Sequence, residues 1–265
     1  MNSPSPSDAP LRMERDGAIV TLVFNRPQAL NAINVAMAQA LLAALQDIAA
    51  DASLRCVVLR GAGQAFMAGG DIDAFADNPD QADLTLQRIL RHMHPALLLL
   101  AQLPVPVIAA VHGPAAGAGL SIALSADYAI CSRSASFVFA YDRLAALPDC
   151  GGSFYLRQKL GPRQAFALML KSAKLSAEEA EALGIVNQVC EDSTFESALS
   201  ALTEHIASGP TKAFGLFKRL LATDLPLAAQ LEAEKASFME ATYSEDFRMA
   251  IRNFRTKTPN KFSGR

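Results

Sequence analysis

A single carboxylate in a glycine-rich turn is the first feature of this 265-residue sequence that suggests chemistry. Asp149 lies in the segment LPDCGGS (147–153), after a proline and before Gly151 and Gly152. Such an acid can cap a helix that follows the turn, or a pocket can display it as a general acid or base. The turn by itself leaves both interpretations open.

Two other segments combine small residues with backbone amides that could bind an anion. AFMAGGDI (65–72) follows a predicted strand, and VHGPAAGAGLS (111–121) follows another strand and opens a helix. Glycine lets the backbone approach a ligand closely, and a helix N-terminus offers unpaired N–H groups. A tight turn with Asp71 as a helix cap, or close packing of small residues, would also explain them. Together, however, the two segments could direct two N–H donors at one carbonyl oxygen, as an oxyanion hole for a thioester enolate does.

Other classes of active site find little support in the sequence. His92 and His94 are spaced i, i+2, and there is neither an H-E-x-x-H motif nor a Cys/His cluster, so we predict no metal site. Ser121 and Ser153 lack the G-x-S-x-G context of a serine hydrolase. The glycine-rich segment at 111–121 matches neither a Walker loop nor the dinucleotide-binding fingerprint.

Composition and charge indicate a soluble cytoplasmic protein. The net charge of −2 provides no basic field for nucleic acid or an anionic membrane, so we predict neither partner. The apolar run at 96–111 is interrupted by Gln102 and two prolines and is too short for a membrane span. The polar N-terminus lacks the pattern of a signal peptide, and we expect residues 1–10 to be a disordered tail. Four scattered cysteines favour reduced thiols, although counting alone does not exclude two disulfides.

The elements that must position these residues follow from hydrophobic periodicity. Short β-branched apolar runs predict buried strands, and apolar residues at helical spacing predict helices between them. This alternation predicts an α/β fold with a mainly parallel sheet. The predicted strands cover 18–24, 54–61, 106–113, 128–132, 136–140 and 185–190, and the predicted helices cover 35–49, 83–101, 116–126 and 176–184.

Helix-capping residues, and a change from alternating strands and helices to helices alone, define the organisation of the chain. Asn34 is the expected N-cap of the helix at 35–49, while Ser176 and Glu179 form a capping-box pattern that Gly184 closes. Three or more helices are expected between about 195 and 255. We therefore divide the chain into the tail at 1–10, an α/β core at 11–195 and a helical oligomerisation region at 196–265.

Four segments, in this order and spacing, resemble the crotonase superfamily, also called the enoyl-CoA hydratase/isomerase family. They are NRPQALNAIN (25–34), AFMAGGDI (65–72), PVIAAVHGPAAGAG (106–119) and the LP-x-x-GGS turn at 147–153. The resemblance extends from about residue 10 to the closing PNKFSGR. It implies an α/β fold built as a spiral of ββα units and followed by a helical trimerisation region. It also implies an acyl-CoA thioester substrate, no cofactor besides this coenzyme A, and a homotrimer or dimer of trimers.

The same resemblance assigns roles to individual residues. The backbone amides of Gly70 and Ala118 correspond to the family's two oxyanion-hole donors. Lys257 matches a C-terminal lysine that the family directs at the nucleotide phosphates. The backbone that lines coenzyme A in the family corresponds to Gln28, Leu30, Ala32, Ala68, Asp71 and Ile72.

The sequence departs from the family at the two acids that hydratases use. Ser121 and Tyr141 stand where those enzymes carry glutamates. Adding water in that manner requires two acids that hold and deprotonate the water and protonate the α-carbon. Serine is no useful base unaided, and tyrosine, with a reference pKa of about 10, is poorly suited near neutrality. We therefore do not expect the usual hydratase mechanism.

Asp149 is the acid that remains at the expected site. Some isomerase branches of the family place their single acid in this turn, and a dehalogenase branch uses an aspartate there as nucleophile. One carboxylate can move a proton from C2 to C4 when a 3-enoyl thioester becomes a 2-enoyl thioester. We therefore expect an enoyl-CoA isomerase in which Asp149 is the proton shuttle, within apolar surroundings formed by Phe139, Leu144, Leu147 and Phe154.

Three alternatives remain open at this point. A hydratase or lyase could use Asp149 together with Asp142, one residue beyond Tyr141. A thioester hydrolase or dehalogenase could use Asp149 as its nucleophile. Finally, the chain could bind acyl-CoA without catalysing a reaction. The sequence indicates an apolar acyl group and nothing finer.

Overall fold

The computed structural model describes residues 9–76 and 79–265. Residues 1–8 of the expected N-terminal tail lie outside this range. The last two residues of that expected tail, Ala9 and Pro10, are hydrogen-bonded to Asn25. The Asn25 side chain donates to the Ala9 carbonyl at 2.8 Å, and its backbone N–H donates to the Pro10 carbonyl at 2.7 Å. The described chain is therefore hydrogen-bonded before its first strand begins.

Six strands form a central sheet in the order β1-β2-β3-β4-β6-β9. β1 and β2 pair antiparallel, and every other pair in this sheet is parallel, which confirms the expectation of a mainly parallel sheet. A second, smaller sheet has the order β5-β7-β8. The strands are β1 (Leu11–Asp16), β2 (Ile19–Phe24), β3 (Cys56–Gly61), β4 (Val107–Val111), β5 (Pro114–Ala116), β6 (Tyr128–Ser132), β7 (Ser136–Val138), β8 (Lys174–Ser176) and β9 (Gln188–Cys190).

Helices fill the connections and make up the C-terminal part of the chain. Two of the expected caps are confirmed: the Asn34 side chain accepts from the Met37 N–H at 2.9 Å, and Ser176 and Glu179 form the complete capping box. The helices are α1 (Val35–Ala50), α2 (Asp73–Ala76), α3 (Ala82–Gln102), α4 (Ala118–Ser125), α5 (Gly152–Leu170), α6 (Ala177–Ala182), α7 (Phe195–Ala207), α8 (Thr211–Leu221), α9 (Leu227–Thr242) and α10 (Glu245–Thr256).

The central sheet is covered on both faces. Successive side chains of each strand point to opposite faces, and both sets are apolar, so both faces must be buried. Val57 and Leu59 of β3 join the large core that includes α1 and α3, whereas Cys56 and Val58 face the opposite way. On that second face they pack with Phe195 and other residues of α7. The chain segments in which the candidate site residues lie pack on the first of these two faces, with α1 and α3.

Some elements differ from the sequence-based expectations. The strand β1 was not expected because most of its residues are exposed and charged, and pairing with β2 is what makes it a strand. The short strands β5 and β8 were also missed, since each has three residues and forms only by pairing with β7. The helix α5 was missed because Gly161 (φ 72°) and Pro162 interrupt its helical pattern.

All four cysteines are buried and unpaired. Burial raises the pKa of the Cys56 and Cys131 thiols to about 12, because the charged thiolate is disfavoured away from water. No helix within the described residues is both long and apolar enough to cross a membrane.

Candidate active site

Two chain segments bring the amides of Gly70 and Ala118 to one place. A parallel bridge pairs Met67 with Ala115, which aligns the segment before Gly70 with the strand before α4. At Gly69, whose φ is 100°, an added Cβ would lie 3.4 Å from the backbone nitrogen of Ala118. The two glycine-containing segments are therefore in contact.

The N–H groups of Gly70 and Ala118 are both available for a ligand. Gly70 pairs with Ile33 through its neighbours, since the Ile33 N–H donates to the Gly69 carbonyl and the Asp71 N–H donates to the Ile33 carbonyl. Within the described residues, no acceptor is found for the Gly70 amide. Ala118 is the first residue of α4, so its N–H has no carbonyl partner one turn earlier in the helix. Two free donors on adjacent segments are what an oxyanion hole requires.

Close packing of α4 fixes this arrangement. Gly117, the N-cap of α4, has a φ of 51°, which is the left-handed conformation that glycine adopts most readily. At Gly119, an added Cβ would lie 2.2 Å from the Met67 carbonyl oxygen. The small residues of the GAG sequence thus allow the helix to approach the segment that carries Gly70.

The turn that carries Asp149 is held in a left-handed conformation before α5. Cys150 has a φ of 51° and Gly151 a φ of 80°, and the Gly152 N–H donates to the Asp149 carbonyl at 2.8 Å. Gly151 is the N-cap of α5, and no side chain caps this helix. The interpretation of Asp149 as a helix cap is therefore wrong.

The Asp149 carboxylate is instead bound by Tyr141. The Tyr141 hydroxyl donates to Oδ1 of Asp149 at 2.9 Å and lies 3.0 Å from the Ser121 hydroxyl. The Asp149 N–H also points to the Tyr141 oxygen, at 3.4 Å. Ser121 and Tyr141, the two residues that the resemblance aligns with the hydratase acids, thus form a chain of hydrogen bonds that ends on Asp149.

This hydrogen-bonded chain lies beside the two amides. Tyr141 is 9% exposed and Ser121 is 2% exposed, so water has little access to their hydroxyl groups. A Cβ added to Gly117 would lie 3.9 Å from Cζ of Tyr141, which places the phenol next to the residue that precedes the Ala118 amide. Asp149 itself is half-buried.

Burial and the neighbouring carboxylate determine the charge state of the phenol. Desolvation, followed by the negative charge of Asp149, raises the pKa of Tyr141 well above its usual range. The same two causes, in the same order, raise the pKa of the adjacent Cys150 thiol. Both groups therefore stay neutral near pH 7, and Tyr141 keeps the proton that it donates to Asp149.

The apolar surroundings of Asp149 are more open than the sequence suggested. Phe139 is buried as expected. Leu144, Leu147 and Phe154 are 55%, 75% and 50% exposed in the single chain, so they do not enclose the acid. The expected closed apolar pocket is absent from the described part of the single chain, because these side chains lie on the open turn and on the first turn of α5.

Two of the expected coenzyme-lining segments meet in one corner. The Ala68 N–H donates to the Leu30 carbonyl at 2.9 Å, and Leu30 has a φ of 49°. Gln28 lies in a short 3-10 helix before Leu30 and is exposed, as is Ile72 just before α2. Ala32 is buried. The structure thus joins Ala68 to Leu30 by a hydrogen bond. Gln28, Ala32 and Ile72 lie close to these two residues along the chain, and Asp71 joins them through the contacts described next.

Arg26 holds these two segments together, and sequence reasoning did not single it out. Its Nη1 donates to the Ala32 carbonyl at 2.6 Å, and its Nη2 forms an ion pair with Asp71 at 2.7 Å. The fully buried Asn31 accepts from the Arg26 N–H and donates to the carbonyls of Ala62 and Ala65. The sequence signal for this role was the NRP turn followed by Asn31, both of which were interpreted only as part of the family motif at 25–34.

Two other candidates lie apart from this site. Lys257 is the C-cap of α10, is exposed, and forms no ion pair within the described residues. Asp142 is exposed on the 3-10 helix after Tyr141, where its carboxylate accepts from the Ser172 hydroxyl. Within the described residues, no hydrogen bond or ion pair joins the Lys257 side chain to the expected coenzyme-lining residues, or Asp142 to Asp149.

Comparisons with known proteins agree with this fold. The family model described as enoyl-CoA hydratase/isomerase matches residues 14–265. A probable enoyl-CoA hydratase of Rhodobacter capsulatus is 37% identical over 96% of this chain and 98% of its own. The 1,2-epoxyphenylacetyl-CoA isomerase of Escherichia coli K12 is 38% identical over 93% of this chain and 95% of its own. The crystal structure of an enoyl-CoA hydratase from Bacillus anthracis superposes with a TM-score of 0.89 at 28% identity, covering 97% of this chain and 100% of that one.

The topology of this α/β fold and these similarities define the crotonase class of proteins. The chain belongs to the enoyl-CoA hydratase/isomerase family. The fold and family expected from the sequence are therefore confirmed, and an acyl-CoA substrate is consistent with the family.

Proposed function

We propose that this protein is an enoyl-CoA isomerase that moves the double bond of a 3-enoyl-CoA to the 2-position, with Asp149 as the proton shuttle. One observation carries the proposal: Tyr141 binds Asp149 through its hydroxyl and packs beside Gly117 through its ring. The carboxylate is thereby placed in the same site as the Ala118 amide. A base beside two carbonyl-binding donors is the arrangement that enolate chemistry requires.

The reaction divides between the carboxylate and the two amides. Asp149 removes a proton from C2, the electron pair of that C–H bond forms a double bond between C1 and C2, and the carbonyl π pair moves onto the thioester oxygen. The N–H groups of Gly70 and Ala118 stabilise this dienolate oxygen. Asp149 then returns the same proton to C4, while the double bond forms between C2 and C3. Atoms and charge balance without a second acid.

The loss of both hydratase acids supports isomerisation over hydration. Ser121 and Tyr141 occupy those positions, and Tyr141 is held protonated by burial and by the Asp149 charge. Asp142, the residue that could have served as a second acid, is exposed and hydrogen-bonded to Ser172. A site with one carboxylate is suited to moving a proton and poorly suited to activating water.

Hydration is the second candidate, because one of the similar proteins is described as a probable enoyl-CoA hydratase. The other relative named above is described as an isomerase of a different CoA thioester. Incubation with a 2-enoyl-CoA separates the two candidates, since hydration removes the conjugated enoyl absorbance. Loss of that absorbance at a rate above the 3-enoyl-CoA turnover would favour the hydratase.

Substitution of Asp149 by Asn tests the proposal directly. We expect kcat for 3-enoyl-CoA conversion to fall about 10²- to 10⁴-fold, the usual contribution of a general acid–base group. Asp142→Asn is the matched control, because it makes the same change seven residues away on the surface, and it should retain wild-type turnover. Unchanged turnover in Asp149→Asn would overturn the assignment. Binding of CoA thioesters without turnover of any substrate would instead indicate a non-catalytic binding protein.

Further parts of the proposal concern the working form of the protein. Coenzyme A enters as part of the substrate, and the two proton transfers need no separate cofactor. The buried, unpaired cysteines suit a reducing compartment, which supports a cytoplasmic location. Exposed apolar side chains on the C-terminal helices support assembly into a homotrimer or a dimer of trimers. Lys257 would then contribute to nucleotide binding within the assembly.

A further inference from the structure

We propose that Tyr141 is a positioning residue whose hydroxyl holds one oxygen of the Asp149 carboxylate, so that the other oxygen is presented to the substrate. Ser121 holds the Tyr141 hydroxyl in turn. The inference rests on the proposed function, because it concerns the base of the same reaction. It assigns a function to the two residues that replace the hydratase acids.

The direction of the hydrogen bonds follows from the number of protons. A phenol has one proton, and Tyr141 donates it to Oδ1 of Asp149. Ser121, 3.0 Å from the same phenol oxygen, must therefore act as the donor in that contact. The chain runs from Ser121 to Tyr141 to Asp149, and each hydroxyl has a defined orientation.

Both hydroxyl groups are fixed by the backbone around them. The Tyr141 carbonyl accepts from the N–H groups of Leu144 and Ala146, which ties the residue into the turn before Asp149. At Gly152, an added Cβ would lie 2.3 Å from the Ser121 Oγ, so the absence of a side chain there creates the space for this hydroxyl. These contacts limit the orientations open to the Tyr141–Asp149 pair.

A fixed carboxylate matters because the terminal torsion of aspartate is broad and roughly two-fold. Without a donor on one oxygen, the group would sample orientations in which neither oxygen points at the substrate carbon. Small misplacements of a catalytic group can reduce rates by about 10²-fold. Tyr141 also packs beside Gly117, so one side chain sets the position of the base relative to the Ala118 amide.

The test is Tyr141→Phe, which keeps the ring and removes the hydroxyl. Tyr128→Phe is the matched control, since it removes a hydroxyl bonded to Gln188 on the central sheet. We expect kcat of Tyr141→Phe to fall about 10- to 100-fold with KM changed less than about 2-fold. Ser121→Ala should show a smaller loss in the same direction, and Tyr128→Phe should resemble the wild type.

Infrared spectroscopy provides a readout that does not depend on turnover. The difference between wild type and Asp149→Asn identifies the carboxylate bands of Asp149, and these bands should shift in Tyr141→Phe but not in Tyr128→Phe. Unshifted bands, or shifted bands with an unchanged kcat, would overturn the inference. The proposed function fails separately if the wild type turns over another CoA thioester but no 3-enoyl-CoA. In that case, shifted bands and a reduced kcat of Tyr141→Phe on that thioester would retain the inference.

Discussion

Arg26 shows how one side chain can organise a binding surface without touching the reacting atoms. Its guanidinium contacts the Ala32 carbonyl and the Asp71 carboxylate at the same time, with both partners largely buried. A planar fork can make these two contacts together, whereas an ammonium group is a single point of charge. The two expected coenzyme-lining segments therefore depend on this residue for their relative position.

Substitution Arg26→Lys should accordingly affect binding more than chemistry. We expect KM for an acyl-CoA to rise several-fold, equivalent to about 1 kcal/mol, while kcat stays within about 2-fold of wild type. The matched control is Arg15→Lys, whose guanidinium contacts Asp51 and Ser53 on the exposed surface. Steady-state kinetics of both variants decides the matter, and a fall in kcat without a change in KM would contradict this role.

Sequence reasoning at the residue scale identified the groups but not their contacts. Asp149 was singled out from its turn, and the family resemblance assigned Gly70 and Ala118 within their glycine-rich segments. Ser121 and Tyr141 were noticed as substitutes for acids, yet their hydrogen bonds to Asp149 required the packing of α4, the turn at 141–149 and α5 together. Contacts between residues 8 and 20 positions apart depend on tertiary geometry that no local pattern specifies.

At the scale of elements, the approach of α4 to the segment before Gly70 controls the separation of the two amides. Gly119 faces the Met67 carbonyl, and an added methyl group would lie 2.2 Å from that oxygen and 2.9 Å from its carbon. Because both partners are backbone, neither can move aside without displacing a chain segment. The position of α4 therefore depends on the absence of this one side chain.

Gly119→Ala should therefore reduce both stability and activity. Overpacking of this kind costs about 1–3 kcal/mol, and displacement of α4 should lower kcat by widening the distance between the amides. Gly184→Ala provides the control, since its added Cβ meets no atom within 4 Å and only its φ of 72° is unfavourable. That variant should lose about 1–2 kcal/mol with kcat unchanged. Thermal unfolding and kcat are the measurements; equal kcat values in the two variants would refute the link between α4 and the site.

The elements that could be predicted were those with a local signal. The helix α1 begins after its Asn34 cap, and β6 has the bounds that its apolar run indicated. The strands β5 and β8 could not be predicted, because their three residues acquire strand geometry only from pairing with β7. The helix α5 was obscured by Gly161 and Pro162, because the non-helical backbone of Gly161 divides it into two helical segments joined at a kink.

At the scale of the whole molecule, the C-terminal helices expose many large apolar side chains. The exposed fraction reaches 84% at Phe254 and 74% at Leu227. These side chains support the proposed assembly, because large exposed apolar patches are typical of protein–protein interfaces. The other large apolar side chains exposed on α8, α9 and α10 are Phe217, Leu221, Leu231, Phe238, Met239 and Ile251.

Light scattering coupled to gel filtration should therefore give the mass of a trimer or of two trimers at micromolar concentration. Phe254→Ser and Leu227→Ser should shift the distribution towards monomer, because they remove exposed apolar groups from the proposed interface. Met13→Ser, on the exposed face of β1, is the control and should leave the mass unchanged. A monomeric wild type would reject the proposed assembly while leaving the single-chain site intact.

The alkylation rates of the four buried cysteines would report where and how often the folded chain opens. A thiol that is both inaccessible and protonated reacts with alkylating reagents only after the structure around it opens. Cys150 adjoins Asp149, whereas Cys56 and Cys131 lie in the central sheet. The rate at which each cysteine is alkylated would therefore separate transient opening of the turn that carries Asp149 from global unfolding, without an engineered label.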